Sequence, residues 1–292
     1  MFLKFLHFWR IFTELIEKFQ AHELSPDNTV IGFGVHPWFT YTLAANGDDD
    51  PSKDENEKQQ LWYTTLRNHL INYPQAFVGE IGLDKIAKSQ GGNFSTSCFL
   101  PIPVLTFFIG KGGKGTKEEL WIGQSRLFRI QMKLARELGR PASVHCVGAQ
   151  GQMFDLFREW SKQDVLPRRI CLHSYGNTHL VFTFLFTKDQ PPGGSVDMVK
   201  CFTSKAIKAT VYFGFSYFVN LRSPKTKDVI KAIPPDRILL ESDLAGVDGL
   251  VEGLETMYNV VAEIRGWTLQ ETAELVYANS CAFYGVDPAS NK

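Results

Sequence analysis

Glu80, His145, His173 and Asp243 each fall at the end of a short apolar or β-branched run. The runs are Val78-Gly79-Glu80-Ile81-Gly82-Leu83-Asp84, Ser143-Val144-His145-Cys146, Cys171-Leu172-His173-Ser174-Tyr175 and Leu239-Leu240-Glu241-Ser242-Asp243. Two carboxylates and two imidazoles make a hard-to-borderline donor set suited to zinc, manganese or magnesium. A divalent ion in such a set polarises an ester oxygen and acidifies bound water, so the chemistry indicated is metal-assisted hydrolysis. A single histidine ending a strand is more often a hydrogen-bonded core residue. Four such groups on four strands shift the balance toward a metal site.

The elements that must position these groups alternate regularly. Strands are predicted at 29–35, 76–81, 142–145, 169–173, 210–216 and 237–243 from their β-branched and apolar runs. Between them the pattern gives helices at 61–70, 121–138, 152–160, 178–186 and 226–232, and two more close the chain. Gly139 and Pro141 stop the 121–138 helix. Thr268 to Glu271 forms a T-x-x-E capping box for the last. Strand-then-helix succession implies an α/β fold with a parallel sheet, and catalytic groups at the C-terminal ends of strands are the signature of a (β/α) barrel. Six strands fall short of the eight that a closed barrel needs.

The remaining features set bounds. The chain of 292 residues is 44% hydrophobic, with 31 basic and 31 acidic residues and no net charge. No overall basic field attracts nucleic acid, so a polyanionic substrate would rely on a local patch or on the metal. Cys98, Cys146, Cys171, Cys201 and Cys281 form no C-x-x-C pair, which fits reduced thiols in a cytoplasmic or nuclear protein. The apolar start is interrupted by Lys4 and Arg10 and is too short to span a bilayer, so no membrane association is expected. Leu3, Leu6, Ile11, Leu15 and Ile16 suit an amphipathic helix packed on the sheet. Residues 47–58 read as an acidic surface connection. Residues 88–117 carry glycines and prolines around an apolar middle at 99–110, an atypical insertion in what is otherwise a single barrel over 1–292. Lys111, Lys114 and Lys117 give that loop a modest basic cluster.

Seven segments, in order, resemble the TatD family of metal-dependent deoxyribonucleases, a branch of the amidohydrolase-like barrels. They are GVHPW from Gly34, GEIGLD from Gly79, LARELGRPASVH from Leu134, LHSYGN from Leu172, FGFS from Phe213, LLESD from Leu239 and NSCAFYGV from Asn279. Each is weak alone, and the ordered set over about 30–286 is specific. Their wording is similar to the fungal branch, one of whose members interacts with a subunit of the anaphase-promoting complex. The resemblance implies a TIM-type barrel and one or two divalent ions (Zn, Mg or Mn) held by Glu80, His145, His173 and Asp243. Glu80 would bridge the ions, His145 and His173 would hold the one nearer the substrate, and Asp243 would serve as general base. The implied substrate is DNA.

The family's opening H-x-H strand has no counterpart: His7 precedes Phe8-Trp9 and His22 precedes Glu23-Leu24. The chain is therefore expected to lack the first two barrel strands, as a truncated gene model or fragment would, with unspliced translated sequence a candidate origin for the 88–117 middle. The first ion would then keep only Glu80 and Asp243 and bind weakly, with turnover correspondingly low. Among flanking residues, His36 either touches substrate phosphate or ends a strand. Asp84 orients neighbouring ligands or caps a helix, and Ser174 and Tyr175 bond a phosphate or shape a loop. Glu241 shares the face of Asp243 but receives no catalytic part, and Cys146 faces the core. The alternatives to a nuclease are a hydrolase of another small ester or amide, or a catalytically impaired scaffold for a protein partner in the cell-cycle machinery.

Overall fold

Alternation along parallel strands sorts this chain into two faces, and that sorting builds the site. The computed structural model describes residues 30–40, 61–87, 104–108, 116–176, 195–243 and 249–287. The expected N-terminal helix, the 47–58 connection, the 178–186 helix and Lys111 and Lys114 lie outside the described residues.

Strands β1 (Val30–Gly34), β2 (Phe77–Asp84), β3 (Val104–Phe108), β4 (Ala142–Val147), β5 (Arg169–Leu172), β6 (Thr210–Ser216) and β7 (Ile238–Glu241) form one sheet ordered β3-β1-β2-β4-β5-β6-β7. Every pairing is parallel. The described helices are α1 (Leu61–Asn72), α2 (Lys117–Glu137), α3 (Gln150–Lys162), α4 (Val196–Phe202), α5 (Tyr217–Asn220), α6 (Thr226–Ala232), α7 (Leu250–Arg265) and α8 (Leu269–Tyr284). The six expected strands form a curled α/β half-barrel. The seventh, β3, comes from the apolar middle of the 88–117 segment and runs along β1 from Val30↔Val104 to Gly34↔Phe108. Its Val-Leu-Thr-Phe-Phe sequence is strand-prone, but the surrounding glycines and prolines masked it as an irregular insertion.

Two of the helices begin with reciprocal caps. Thr116 accepts from the Glu119 amide while the Glu119 carboxylate takes the Thr116 amide, and Thr268 and Glu271 repeat the arrangement at α8. The first of these boxes starts α2 four residues before the 121 expected from hydrophobic periodicity alone. Gly139 and Gly266 adopt the left-handed backbone that ends α2 and α7.

On the helix-facing side, Ile31, Phe33, Val78, Val144, Leu172, Phe213 and Leu240 join the main core with Leu66, Phe128, Phe157 and Phe202. The alternate residues Val30, Phe77, Cys171, Tyr212 and Leu239 form a separate apolar layer on the inner face, closed by Phe283 and Tyr284 of α8. Two residues further along β5 and β7, the same face presents His173 and Glu241. An apolar floor thus lies directly beneath a polar mouth.

Phe213→Ala, at a fully buried site whose ring meets Tyr175 edge-on at 4.8 Å, should cost about 3–5 kcal/mol. Thr268→Ala should cost about 1 kcal/mol. Urea unfolding of the two variants separates these values, and equal effects would contradict the layered core.

Candidate metal centre

Glu80 is the hub of the polar mouth. It lies within β2 rather than at its end, because the strand continues through Ile81-Gly82-Leu83-Asp84 against β4. The β2–β4 register jumps from Val78↔Ala142 to Ile81↔Val144, an irregularity that falls on Gly79-Glu80 and re-aims the carboxylate inward. Gly82, at φ 141°, lets β2 pass β4 closely, since a Cβ there would stand 2.0 Å from the His145 carbonyl oxygen.

One oxygen of Glu80, Oε1, faces three imidazole nitrogens: His145 Nδ1 at 2.8 Å, His36 Nε2 at 3.7 Å and His173 Nε2 at 3.8 Å. His173 Nε2 also meets Asp243 Oδ1 at 3.0 Å, and Asp243 Oδ2 accepts from the Ser174 hydroxyl at 3.1 Å. The structure therefore brings together all four residues expected to ligate metal, with His36, Asp84 and Ser174 beside them. Donors around a tetrahedral ion with bonds of about 2.0–2.1 Å stand roughly 3.4 Å apart, and the separations here bracket that value. Donor atoms of His36, Glu80 and His145 all fall within 4.8 Å of one another, a spacing able to hold a metal ion.

His36 is nonetheless better suited to donate than to coordinate. Its Nδ1 accepts from the Trp38 amide at 3.2 Å, which caps the 3-10 turn Pro37–Phe39. Burial lowers its pKa, favouring the neutral ring despite the pull of Glu80. A neutral imidazole accepting at Nδ1 carries its proton on Nε2, directed into the mouth, a tautomer inferred from the hydrogen bonding.

Asp84 grips the far side of His145, with Oδ2 3.1 Å from Nε2. The same oxygen accepts from the Trp38 indole at 2.7 Å, and Oδ1 accepts from the Ile86 and Ala87 amides, both at 2.9 Å. Two buried glutamines of α2 hold the strand ends that carry His36 and Asp84. Gln131 exchanges a pair of hydrogen bonds with the Val35 backbone at 2.6 and 3.2 Å, and Gln124 does the same with Asp84 at 2.8 and 3.1 Å. Each side-chain amide replaces the neighbour strand that a terminal peptide group lacks.

Glu241, set aside on sequence grounds, is almost fully buried and bonds His173 Nδ1 at 2.9 Å, together with the amide and hydroxyl of Ser174. Its signal was the period of two that puts it on the face of Asp243. Ser174 and Asp243 both adopt left-handed backbone, with φ of 41° and 55°. Non-glycine residues there cost of order 1–3 kcal/mol each and persist where the surroundings over-determine them. Cys146 is only partly buried and packs against the main core, and its thiol is pushed up to about 12, chiefly by burial.

Burial would raise the carboxyl of Glu80, but His173, His145 and His36 outweigh it and hold the pKa well below the usual range. Asp84 is likewise lowered to about 2, with burial opposed by His145 and Trp38. Burial would lower His145, yet its contacts with Asp84 and Glu80 lift it to about 9. His173 is raised well above its ordinary value against burial by Glu241, Glu80 and Asp243. Both rings are therefore shifted toward the doubly protonated form where no cation is bound. A divalent ion held there would take the place of that positive charge, so the donor set fits a metal.

A parallel half-barrel with a histidine–carboxylate cluster at its mouth defines a metal-dependent hydrolase of the amidohydrolase-like class. The match to known families is specific: residues 10–285 fit the family described as TatD related DNase, and the chain belongs to that family. Over 89% of its length it is 26% identical to the Cut9-interacting protein scn1 of Schizosaccharomyces pombe, of which it covers 85%. It is 22% identical to an uncharacterised deoxyribonuclease of Saccharomyces cerevisiae, spanning 78% of this chain and 70% of that protein. A TatD family hydrolase from Entamoeba histolytica superimposes with a TM-score of 0.60 at 17% identity, covering 94% of this chain and 81% of the other. A TatD homologue from Escherichia coli K12 does so at 0.55 and 20%, covering 93% and 83%. Among the described residues, no helix is long and apolar enough to cross a membrane.

Zinc added at pH 7 to chelator-stripped protein should release about two protons, read by calorimetry in buffers of different ionisation enthalpy. Stripped protein should also show a defined pH window. The stabilisation from His145 is fully present below about 6.5 and is lost as pH rises through about 9. That from Asp84 is present above 3.8 and is lost as pH falls through about 2. A melting temperature that does not fall between pH 7 and 9.5 would contradict the pairing.

Proposed function

We propose that this chain hydrolyses DNA phosphodiester bonds, with Glu80, His145, His173 and Asp243 holding a divalent ion. The observation that carries the reading is the buried Glu80 oxygen faced by three imidazole nitrogens, with the more open Asp243 at its rim. Zinc, manganese or magnesium bound there would supply Lewis acidity toward a phosphate oxygen and a more acidic water.

The chain's own groups do the rest. The side chain of Asp243 is 25% exposed, against 7–11% for Glu80, His145 and His173, so it alone of the four can both face the cluster and reach solvent. Held at Oδ2 by the Ser174 hydroxyl, it is oriented to take a proton from an attacking water. His36 offers its Nε2 proton to a phosphate oxygen, and Asp84 fixes the ring of His145.

The metal-loaded protein should degrade single-stranded DNA. Asp243→Asn should lower the rate about 10²–10⁴-fold. His173→Ala should abolish turnover together with metal retention, and nuclease activity that survives this substitution would sink the assignment. One observation favours a second reading. The fission-yeast relative is named for interaction with Cut9, so the barrel could instead serve as a scaffold for a protein partner. Metal content separates the two: about one ion per purified chain supports the hydrolase, and none supports the scaffold.

A further inference from the structure

We infer that Glu241 is a positioning residue: it keeps the proton of His173 on Nδ1, so that the Nε2 lone pair is turned toward the cation. The inference rests on the metal reading above and adds to it the residue that sets the tautomer of one ligand.

Glu241 ends β7, and its carboxylate is fully engaged. Oε2 meets His173 Nδ1 at 2.9 Å, while Oε1 takes the Ser174 amide and stands 3.0 Å from the Ser174 hydroxyl, whose one hydrogen it shares with Asp243. Ser174 follows His173 in the chain, so the two oxygens clamp both the ring and its adjoining backbone. The neighbouring strand leaves room for this group. A Cβ on Gly214 would stand 2.7–2.8 Å from the Glu241 carboxylate, so the Gly of Phe-Gly-Phe-Ser reserves its space. The opposite ring nitrogen, Nε2, points to Asp243 and Glu80.

Elementary imidazole chemistry then decides the roles. A carboxylate accepts and cannot donate, so the nitrogen clamped by the buried Glu241 keeps its hydrogen, and the Nε2 hydrogen that faces the more open Asp243 is the one that a cation would displace. A neutral ring with Nδ1–H offers its lone pair at Nε2. Histidine ligands that donate their second nitrogen to a carboxylate gain both orientation and basicity, and loss of such a partner weakens metal binding about 10–100-fold. Asp84 makes the corresponding contact to His145 through the other nitrogen, Nε2, which leaves Nδ1 toward Glu80. With a cation bound, the two histidines would thus be held in opposite tautomers by two different acids.

Glu241→Gln is the direct test. A glutamine oxygen that keeps the Ser174 bonds places its NH₂ against His173 Nδ1, which forces the ring proton to Nε2 and blocks coordination. Zinc affinity, measured by competition with a chelator, should fall about 10–100-fold, with circular dichroism confirming that the stripped variant is folded. Unchanged affinity in a folded Glu241→Gln protein overturns the inference. Should that variant fail to fold, nitrogen-15 NMR of histidine in the zinc-loaded, unsubstituted protein decides the matter. A His173 ring protonated at Nδ1 and metallated at Nε2 supports the inference, and the reverse overturns it. If the unsubstituted chain binds no zinc, the metal reading itself falls, an outcome distinct from zinc bound with equal strength by both proteins.

Discussion

The structure depends on the burial of the Glu80 carboxylate among imidazoles. An ionised group deep in a protein is costly unless it is paired and hydrogen-bonded, and removing one partner of a buried pair costs about 3–5 kcal/mol. Here the compensation comes from three strands at once: His36 beyond β1, His145 in β4 and His173 beyond β5. None of these rings reaches Glu80 by local contact. The arrangement exists only when the sheet is in register, so folding and assembly of the site are one event. The outer acids, Asp84 and Glu241, extend the same logic by engaging the far nitrogens of His145 and His173.

Much of this was legible in sequence because strands have a period of two. Once Cys171 and Leu239 are placed on the inner face, His173, Glu241 and Asp243 follow on it by counting. The family motifs suggest a ligand set, and the matched family carries the hydrolase class. What could not be read has physical causes. Strand β3 was hidden because a five-residue strand flanked by glycine and proline has no long pattern to announce it. The inward turn of Glu80 arises from a register irregularity between β2 and β4, which is a property of the pair and of neither strand alone. Glu241 was undervalued because an acid two residues before a stronger candidate looks redundant until its partner, 67 or more residues away, is known.

The glutamines of α2 were invisible for a related reason. On a helix pattern they are polar residues at apolar positions, which reads as noise, and both are nearly fully buried. Their role appears only when the strand ends beside them are seen to lack a neighbour for the peptide groups of Val35 and Asp84. Gln124 and Gln131 satisfy those groups with paired bonds, the economy expected where buried polar groups must be matched. Sequence identifies the chemistry of such residues, and topology supplies their meaning.

Gln124 and Gln131 sit seven positions apart, close to two turns of α2, and so project from a single stripe of one rigid rod. The rod therefore measures the spacing between the loop that bears His36 and the turn that bears Asp84. A shift of the rod would displace both at once, the turn that places His36 and the carboxylate that grips His145.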